Sequence, residues 1–205
     1  MVRGILVAGG SGRRLGASKA RVAIAGVTLL QRALDAISAV AGEIVVAAPE
    51  RMNLRLPDSP RARRVFDRAE GKGPLAGIVA ALEDRAFDVA VVLGIDFPLM
   101  RAATLEAIVA RLGVAPDVEA VVPAPGGRLQ PLAAAYRREF TSRLVAAFES
   151  GERSIVKAVE RLAPTVLSDE EIAALEGGAE AFFNLNTPED LTEAARRIAA
   201  STLQP

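Results

Sequence analysis

The amino-acid sequence predicts a three-layer α/β fold, in which helices cover both faces of a mostly parallel β-sheet. Short apolar runs rich in Val and Ile alternate with longer segments of helical periodicity, and this alternation is typical of β-α units stacked around a sheet. The chain has 205 residues, of which 51% are hydrophobic, so it can bury a full-sized core without disulfides or a structural metal. We expect residues 1–205 to form one domain.

Five apolar runs are the predicted strands. They are residues 5–8, 44–48, 65–66, 89–93 and 120–122. Thr28 and Gln31 have capping-box spacing and predict a helix that follows them, with its apolar residues on one face. Three more helices are predicted, over residues 74–82, 103–112 and 140–148.

The end of the chain predicts a last helix, because Thr187 offers an N-cap and Pro188 suits the first helical position. Residues 53–64 are rich in Pro and Arg and are expected to form a surface loop, and Gly177-Gly178 is expected to form a turn.

Composition excludes several classes of function. The chain has no Cys and no His, which excludes Cys/His zinc sites, thiol nucleophiles and histidine general bases. Its 25 basic and 25 acidic residues balance, so it lacks the electrostatic footprint of a protein that binds nucleic acid or an anionic membrane. No apolar run approaches the roughly 20 residues of a membrane span, so we expect a cytoplasmic protein.

The most informative segment, residues 7–19, directly follows the first predicted strand. Its four glycines allow close approach of the backbone to an anion, while Arg13, Arg14 and Lys19 supply positive charge, a composition that suits a triphosphate. It is not a Walker A loop, and Leu15 occupies the position where a dinucleotide-binding fingerprint requires its last glycine. The same glycines also fit a plain strand-to-helix connection with solvated arginines.

Asp96 lies just beyond the strand predicted at residues 89–93. Ligands of open α/β sheets lie at the carboxyl ends of the strands, so Asp96 should face the same crevice as the glycine-rich segment and could hold Mg²⁺ beside phosphates. The alternative is a turn aspartate before Phe97-Pro98. Asp67, at the end of another predicted strand, is a weaker candidate of the same kind, for which a turn or cap role is equally open.

Two further segments are candidates for ligand binding. Residues 70–77 form a second glycine-rich loop that leads into a helix, whose positive end and Lys72 are available to an anion. Asn184 and Asn186 occupy alternate positions of a short predicted strand and should lie on one side of it, although Asn186 could instead belong to the helix cap.

Taken in order along the chain, these motifs resemble the molybdenum cofactor guanylyltransferases, which share a nucleotidyltransferase fold with sugar-nucleotide pyrophosphorylases. The resemblance covers nearly the whole chain. It rests on residues 7–19, residues 73–77, Asp96 with Pro98, Gln130-Pro131-Leu132, Tyr136-Arg137, and the final run Asn184-x-Asn186-Thr187-Pro188-Glu189-Asp190. The fold it implies is Rossmann-like, of the type also found in GT-A enzymes.

The resemblance implies GTP and molybdopterin as substrates and Mg²⁺ as cofactor, with molybdoenzyme-maturation proteins as possible partners. It implies that the nucleotide is bound by Val7, Ala8, Gly9, Gly10, Lys19, Asp67, Gly73, Pro74, Leu75 and Asp96. Catalysis would fall to Lys19, Arg14 and Asp96, and acceptor binding to Asn184 and Asn186. Ser18 and Ala47 stand where the family commonly has Asp and Asn, which bears on base choice more than on reaction type.

The function indicated is transfer of a nucleoside monophosphate from an NTP to an acceptor phosphate, with release of pyrophosphate. An acceptor phosphate is already anionic at neutral pH, so the absence of histidine is no obstacle. Two alternatives stay open. One is a transferase of the same fold that uses CTP or another acceptor, such as a sugar phosphate, phospholactate or cobinamide phosphate; the other is a nucleotide-binding module without catalysis.

Overall fold

The computed structural model describes residues 1–9, 19–52, 54–56, 61–66, 73–82 and 87–202. The strands in these ranges are β1 (Val2–Val7), β2 (Ala23–Ile24), β3 (Val27–Thr28), β4 (Glu43–Ala48), β5 (Ala62–Phe66), β6 (Val89–Gly94), β7 (Ala120–Pro123), β8 (Ala133–Arg137) and β9 (Thr165–Leu167). The α-helices are α1 (Leu29–Ser38), α2 (Pro74–Leu82), α3 (Ala102–Leu112), α4 (Arg138–Glu149), α5 (Ile155–Arg161), α6 (Asp169–Ala173) and α7 (Pro188–Thr202).

Seven of these strands form one sheet in the order β5-β4-β1-β6-β8-β7-β9, and β2 and β3 form a separate hairpin. Strands β5, β4, β1 and β6 are parallel to their neighbours, β8 runs antiparallel to both β6 and β7, and β9 is parallel to β7. Six of the seven strands therefore point the same way. The prediction of a mostly parallel sheet is confirmed.

The sheet carries an apolar core on each face because its strand residues alternate in direction. On β1, Leu6 packs with residues of α1 and α3 in one core, and Ile5 packs with residues of α2, α4 and α5 in the other. The three-layer arrangement expected from the sequence is thus confirmed. A third, small cluster joins Ile24 and Leu29 to Leu185 and Ala194, and it fixes α7 against the β2-β3 hairpin.

The strand and helix predictions are accurate where the sequence pattern is strong and incomplete elsewhere. The observed strands extend the five predicted runs by one to three residues, except that β1 ends at Val7, one residue before its predicted end at Ala8. The helix over residues 74–82 has its predicted bounds. The sequence gives little sign of β8, whose Ala-Ala-Ala-Tyr-Arg composition favours helix, or of the three-residue β9. Residues 62–64, expected in a surface loop, instead begin the edge strand β5.

The predicted helix caps are present. The Oγ1 atom of Thr28 accepts a hydrogen bond of 3.1 Å from the backbone N–H of Gln31 and so caps α1. The Oγ1 atom of Thr187 accepts one of 3.2 Å from the backbone N–H of Asp190 and caps α7. Within the described ranges, no helix combines the length and the apolar character that crossing a bilayer requires.

Candidate active site

The carboxyl ends of β1 and β6 form the centre of the candidate site. In the sheet, β4 and β5, which come next along the chain, lie on one side of β1, and β6 lies on the other side. The strand order therefore reverses between β1 and β6. The backbone N–H of Ile95 donates to the carbonyl of Val7 at 3.3 Å, which brings Gly9 and Asp96 to the same edge of the sheet. A crevice outside such a switch point is the usual ligand site of an open α/β sheet.

Asp96 projects from the turn that ends β6. A Cβ atom at Gly94 would overlap the Oδ1 atom of Asp96, so glycine at position 94 leaves the space that this carboxylate occupies. The backbone of Asp96 is also held, because its carbonyl accepts a hydrogen bond of 2.8 Å from the N–H of Leu185. The carboxylate is therefore fixed at the sheet edge, with 20% of its side chain exposed.

Lys19 meets this carboxylate from the far end of the glycine-rich segment. Its Nζ atom lies 3.3 Å from Oδ2 of Asp96 and 2.9 Å from Oδ1 of Asn186, and its side chain is only 12% exposed. The structure thus brings three of the predicted site residues together, although Asn186 is 167 positions away from Lys19 along the chain. We call Lys19, Asp96 and Asn186 the central triad.

Asn184 and Asn186 lie on an extended segment that has no strand pairing, so the short strand expected here is wrong. This segment follows a 3-10 helix, Gly178–Phe182. The N–H of Leu185 donates a hydrogen bond to the carbonyl of Asp96, but among the described residues the segment forms no ladder of strand hydrogen bonds. The two amides nevertheless meet as expected, since Nδ2 of Asn186 donates to Oδ1 of Asn184 at 2.7 Å. Each polar atom of the Asn186 side chain therefore has a partner, one of which is Lys19.

Asp190 takes over the capping role that the sequence left open for Asn186. Its Oδ2 atom accepts hydrogen bonds from the backbone N–H groups of Asn186 at 2.7 Å and Thr187 at 2.8 Å. Desolvation alone would raise the pKa of Asp190, but these hydrogen bonds, with the nearby charge of Lys19, hold that pKa below its ordinary value. The Asn186 side chain is left free to join the central triad.

The candidate nucleotide residues can contribute mainly through their backbone. The side chains of Val7, Ala8 and Leu75 are buried in the core, and the N–H of Ala8 is already bonded to the carbonyl of Ala47 at 2.9 Å. Gly73 is exposed, has a φ of +81°, and leads into α2, whose first residue is Pro74. Gly10, Arg14 and Asp67, also expected at this site, lie outside the described residues.

The motif over residues 130–137 supports the architecture around the site. Tyr136 is fully buried, its hydroxyl donates to the carbonyl of Pro131 at 2.8 Å, and burial raises the pKa of this hydroxyl above its ordinary value. Arg137 donates to the carbonyls of Val118 and Leu112. The carbonyl of Leu132 accepts a hydrogen bond of 2.7 Å from the N–H of Gly94, so the motif supports the turn that carries Asp96.

A cleft of about 570 Å³ opens beside the central triad. It lies between the loop that joins β7 to β8 and the segment that leads into α7. Its lining residues are Pro125, Arg128, Gln130, Ala179, Glu180, Phe182, Phe183, Asn184, Asn186, Asp190 and Arg197. Sequence reasoning missed Arg128 and Arg197; the one available signal was the Gly126-Gly127 pair, which marks a turn at a strand end directly before Arg128.

The described residues contain no group of three or more His, Cys, Asp or Glu side chains that could enclose a metal ion. Asp96 and the Asn186 amide are instead a small set of hard oxygen donors in an open crevice, with space at Asp96 ensured by Gly94. This set fits Mg²⁺, which often takes one or two protein oxygens and completes its coordination with substrate phosphates and water.

The fold and this site define a class of enzyme, the α/β nucleotidyltransferases. The family model of the MobA-like NTP transferase domain matches residues 4–165, and the chain belongs to that family.

Curated relatives extend the likeness over nearly the whole chain. The chain is 33% identical over 198 residues to a probable molybdenum cofactor guanylyltransferase of Chloroflexus aggregans, covering 93% of this chain and 92% of the relative. It is 28% identical to the molybdenum cofactor guanylyltransferase of Desulfosudis oleivorans, with 98% of both chains covered.

Comparison with solved structures gives the same family likeness as comparison with the curated relatives. The chain is similar to the molybdopterin-guanine dinucleotide biosynthesis protein A of Archaeoglobus fulgidus, with a TM-score of 0.78 and 29% identity, over 97% of this chain and 99% of that one. The 2-C-methyl-D-erythritol 4-phosphate cytidylyltransferase of Thermus thermophilus has a TM-score of 0.69 at 20% identity, over 97% of this chain and all of that one, and shares the fold. The predicted family and enzyme class are confirmed.

Proposed function

We propose that this protein transfers GMP from GTP to the phosphate of molybdopterin and releases pyrophosphate, with Mg²⁺ as cofactor. The observation that carries the proposal is the central triad, in which a lysine, a carboxylate and an amide from three distant parts of the chain meet at the switch point of the sheet. The guanylyltransferase names of the curated relatives support the choice of GTP and molybdopterin.

The proposed reaction joins an oxygen of the acceptor phosphate to the α-phosphorus of GTP and breaks the bond between that phosphorus and the oxygen that bridges to the β-phosphate. The bonding electron pair leaves with pyrophosphate. The attacking oxygen is anionic at neutral pH, so the step needs no side chain to remove a proton. Positioning and neutralisation of charge are then the main tasks of the protein.

The roles proposed for the residues follow from their charge and place. Lys19 meets the triphosphate and neutralises charge that builds up on the departing pyrophosphate, and Arg14 assists it. Asp96 holds Mg²⁺, which when bound screens the phosphate charges from one another. Asn186, whose Oδ1 atom accepts a hydrogen bond from Lys19, orients that ammonium.

The remaining assignments divide the site into two halves. On the nucleotide half we propose backbone contacts from the segment that follows β1 and from the start of α2, together with Asp67 on the nucleoside. The residues are Val7, Ala8, Gly9, Gly10, Gly73, Pro74 and Leu75. On the acceptor half we propose Asn184 and Asn186, since their amides border the 570 Å³ cleft and can hydrogen-bond the polar edge of a pterin.

The test is a screen of purified protein with each of the four NTPs and a panel of phosphorylated acceptors, scored by pyrophosphate release and by mass of the product. We expect turnover with GTP, molybdopterin and Mg²⁺, and a loss of at least about 10²-fold in the Asp96→Asn variant while its circular dichroism stays unchanged. Preference for CTP or another acceptor would reject the guanylyl assignment. NTP binding without turnover on any acceptor would reject catalysis.

A further inference from the structure

Among the residues that the structure describes, one cation that lines the 570 Å³ cleft, Arg128, has no side-chain partner. Arg128 is an exposed residue, and among the described residues its guanidinium has neither a hydrogen-bond nor an ion-pair partner. Arg197, the other arginine of the cleft, lies 2.6 Å from a carboxylate oxygen of Glu193 and 3.5 Å from one of Glu180. The positive charge of Arg197 is therefore neutralised, and that of Arg128 is not.

The loop that presents Arg128 is tightly held. Gly126 and Gly127 have φ values of +59° and +75°, which residues other than glycine rarely adopt. The N–H of Gly126 donates to Oδ1 of Asp169 at 2.8 Å, and the N–H of Gln130 donates to the carbonyl of Pro123 at 2.8 Å. Arg128 is thus anchored at its backbone at both sides, which lowers the entropy cost of ordering it on a ligand.

The strand order places Arg128 on the side of Asp96 opposite to β1, after which the glycine-rich segment follows. The glycine-rich segment follows β1, on one side of β6, whereas the loop of Arg128 follows β7, on the other side of β6. Both loops leave the same edge of the sheet because β1, β6 and β7 point the same way. Asp96, at the end of β6, therefore lies between the carboxyl end of β1 and the loop of Arg128.

We propose that Arg128 binds an anionic group of the acceptor, in the class of phosphate monoesters, and selects phosphorylated acceptors. This inference rests on the proposed function, in which the acceptor occupies the cleft. A guanidinium fork pairs with two oxygens of a phosphate at once, and the unpaired state of Arg128 means that no protein carboxylate has to be displaced first. Arg128 is a specificity-determining residue in this assignment.

The first test compares Arg128→Ala, Arg128→Lys and a matched control, Arg161→Ala, in the GMP-transfer assay. Arg161 is an exposed arginine on α5 whose guanidinium already pairs with Glu152 at 3.2 Å. In Arg128→Ala we expect the KM for the acceptor to rise about 10- to 100-fold, as for the loss of a charge-assisted hydrogen bond, while the KM for GTP stays within about twofold. Arg128→Lys should recover part of the loss, and Arg161→Ala should match the wild type.

A second measurement is independent of the acceptor's identity. Inorganic phosphate is titrated into protein saturated with α,β-methylene-GTP, and the arginine Nε–H resonances are followed by NMR. Saturable shifts of the Arg128 resonance, with the Arg161 resonance unmoved, support the inference even if transfer to molybdopterin fails and the proposed function falls. An unmoved Arg128 resonance, an acceptor KM within about twofold of wild type, or an equal rise in the KM for GTP would each overturn it.

Discussion

Removal of the Lys19 ammonium should have opposite effects on metal binding and on catalysis. Nζ of Lys19 lies 3.3 Å from Oδ2 of Asp96, and this carboxylate is the group that we propose for the metal. The ammonium and a divalent cation compete for this carboxylate. Lys19→Ala should therefore bind a metal more tightly in the absence of nucleotide, and it should transfer GMP more slowly when nucleotide is present.

The size of the first effect follows from the distance. Two unit charges 3.3 Å apart attract by about 5 kcal/mol at an effective dielectric constant of 20 and by about 1 kcal/mol in water. A lysine can swing away from its partner at little cost, so we take the lower value, which corresponds to metal binding about fivefold to tenfold tighter in Lys19→Ala. The second effect, loss of charge neutralisation in the transition state, should slow transfer about 10²- to 10³-fold.

The assay for metal binding is electron paramagnetic resonance of free Mn²⁺, titrated into nucleotide-free protein. Lys157→Ala, which removes an exposed lysine from α5, is the matched control and should bind Mn²⁺ like the wild type. Asp96→Asn tests the metal assignment separately. If Lys19→Ala binds Mn²⁺ no more tightly than the wild type while Asp96→Asn binds it less, the competition is refuted and the assignment of Asp96 stands.

Two further substitutions test the geometry around the central triad. Gly94→Ala introduces a Cβ atom that overlaps Oδ1 of Asp96 and should reduce kcat about 10²-fold, because it displaces that carboxylate. Gly42→Ala is the control: its Cβ atom would lie 4.0 Å from the nearest atom, so its kcat should equal that of the wild type. Equal kcat values in the two variants would contradict this reasoning. Asp190→Ala removes the carboxylate that accepts hydrogen bonds from the backbone N–H groups of Asn186 and Thr187 at the start of α7, and it should lower the free energy of unfolding by about 1 kcal/mol at pH 7 in urea titrations. Because the folded pKa of Asp190 is depressed, its stabilisation is present above the ordinary carboxyl pKa of about 3.9 and is lost as the pH falls through the folded value. A wild-type-to-variant difference that does not shrink as the pH is lowered below about 3.9 would argue against this origin.

Strong local patterns predicted most of the fold. The Val- and Ile-rich runs gave β1, β4 and β6, because a strand buried on both faces needs apolar side chains at every position. The same logic fails for β8, where Ala133 to Ala135 carry no strand preference, and its pairing with β6 and β7 is set by long-range contacts.

The candidate site was predictable in its residue types and less so in its contacts. Lys19 could be singled out because it ends the glycine-rich segment that follows the first predicted strand. Asp96 could be singled out because it follows an apolar strand, at whose carboxyl end ligands of such sheets lie. That Asn186 would reach Lys19 depends on the docking of α7, which no local pattern encodes. The role that we propose for Arg128 rests on its lack of a partner among the described residues, which only the folded arrangement of neighbouring charges reveals.

The contact between Lys19 and Asn186 has a consequence for synthesis of the protein. The ribosome releases the segment that carries Asn186 only after every strand of the seven-stranded sheet has emerged. A nascent chain that has already formed its sheet therefore still lacks Asn186, one of the three residues of the central triad. We expect enzymatic competence to arise abruptly, with the seating of α7 on the β2-β3 hairpin, rather than to grow in step with chain elongation.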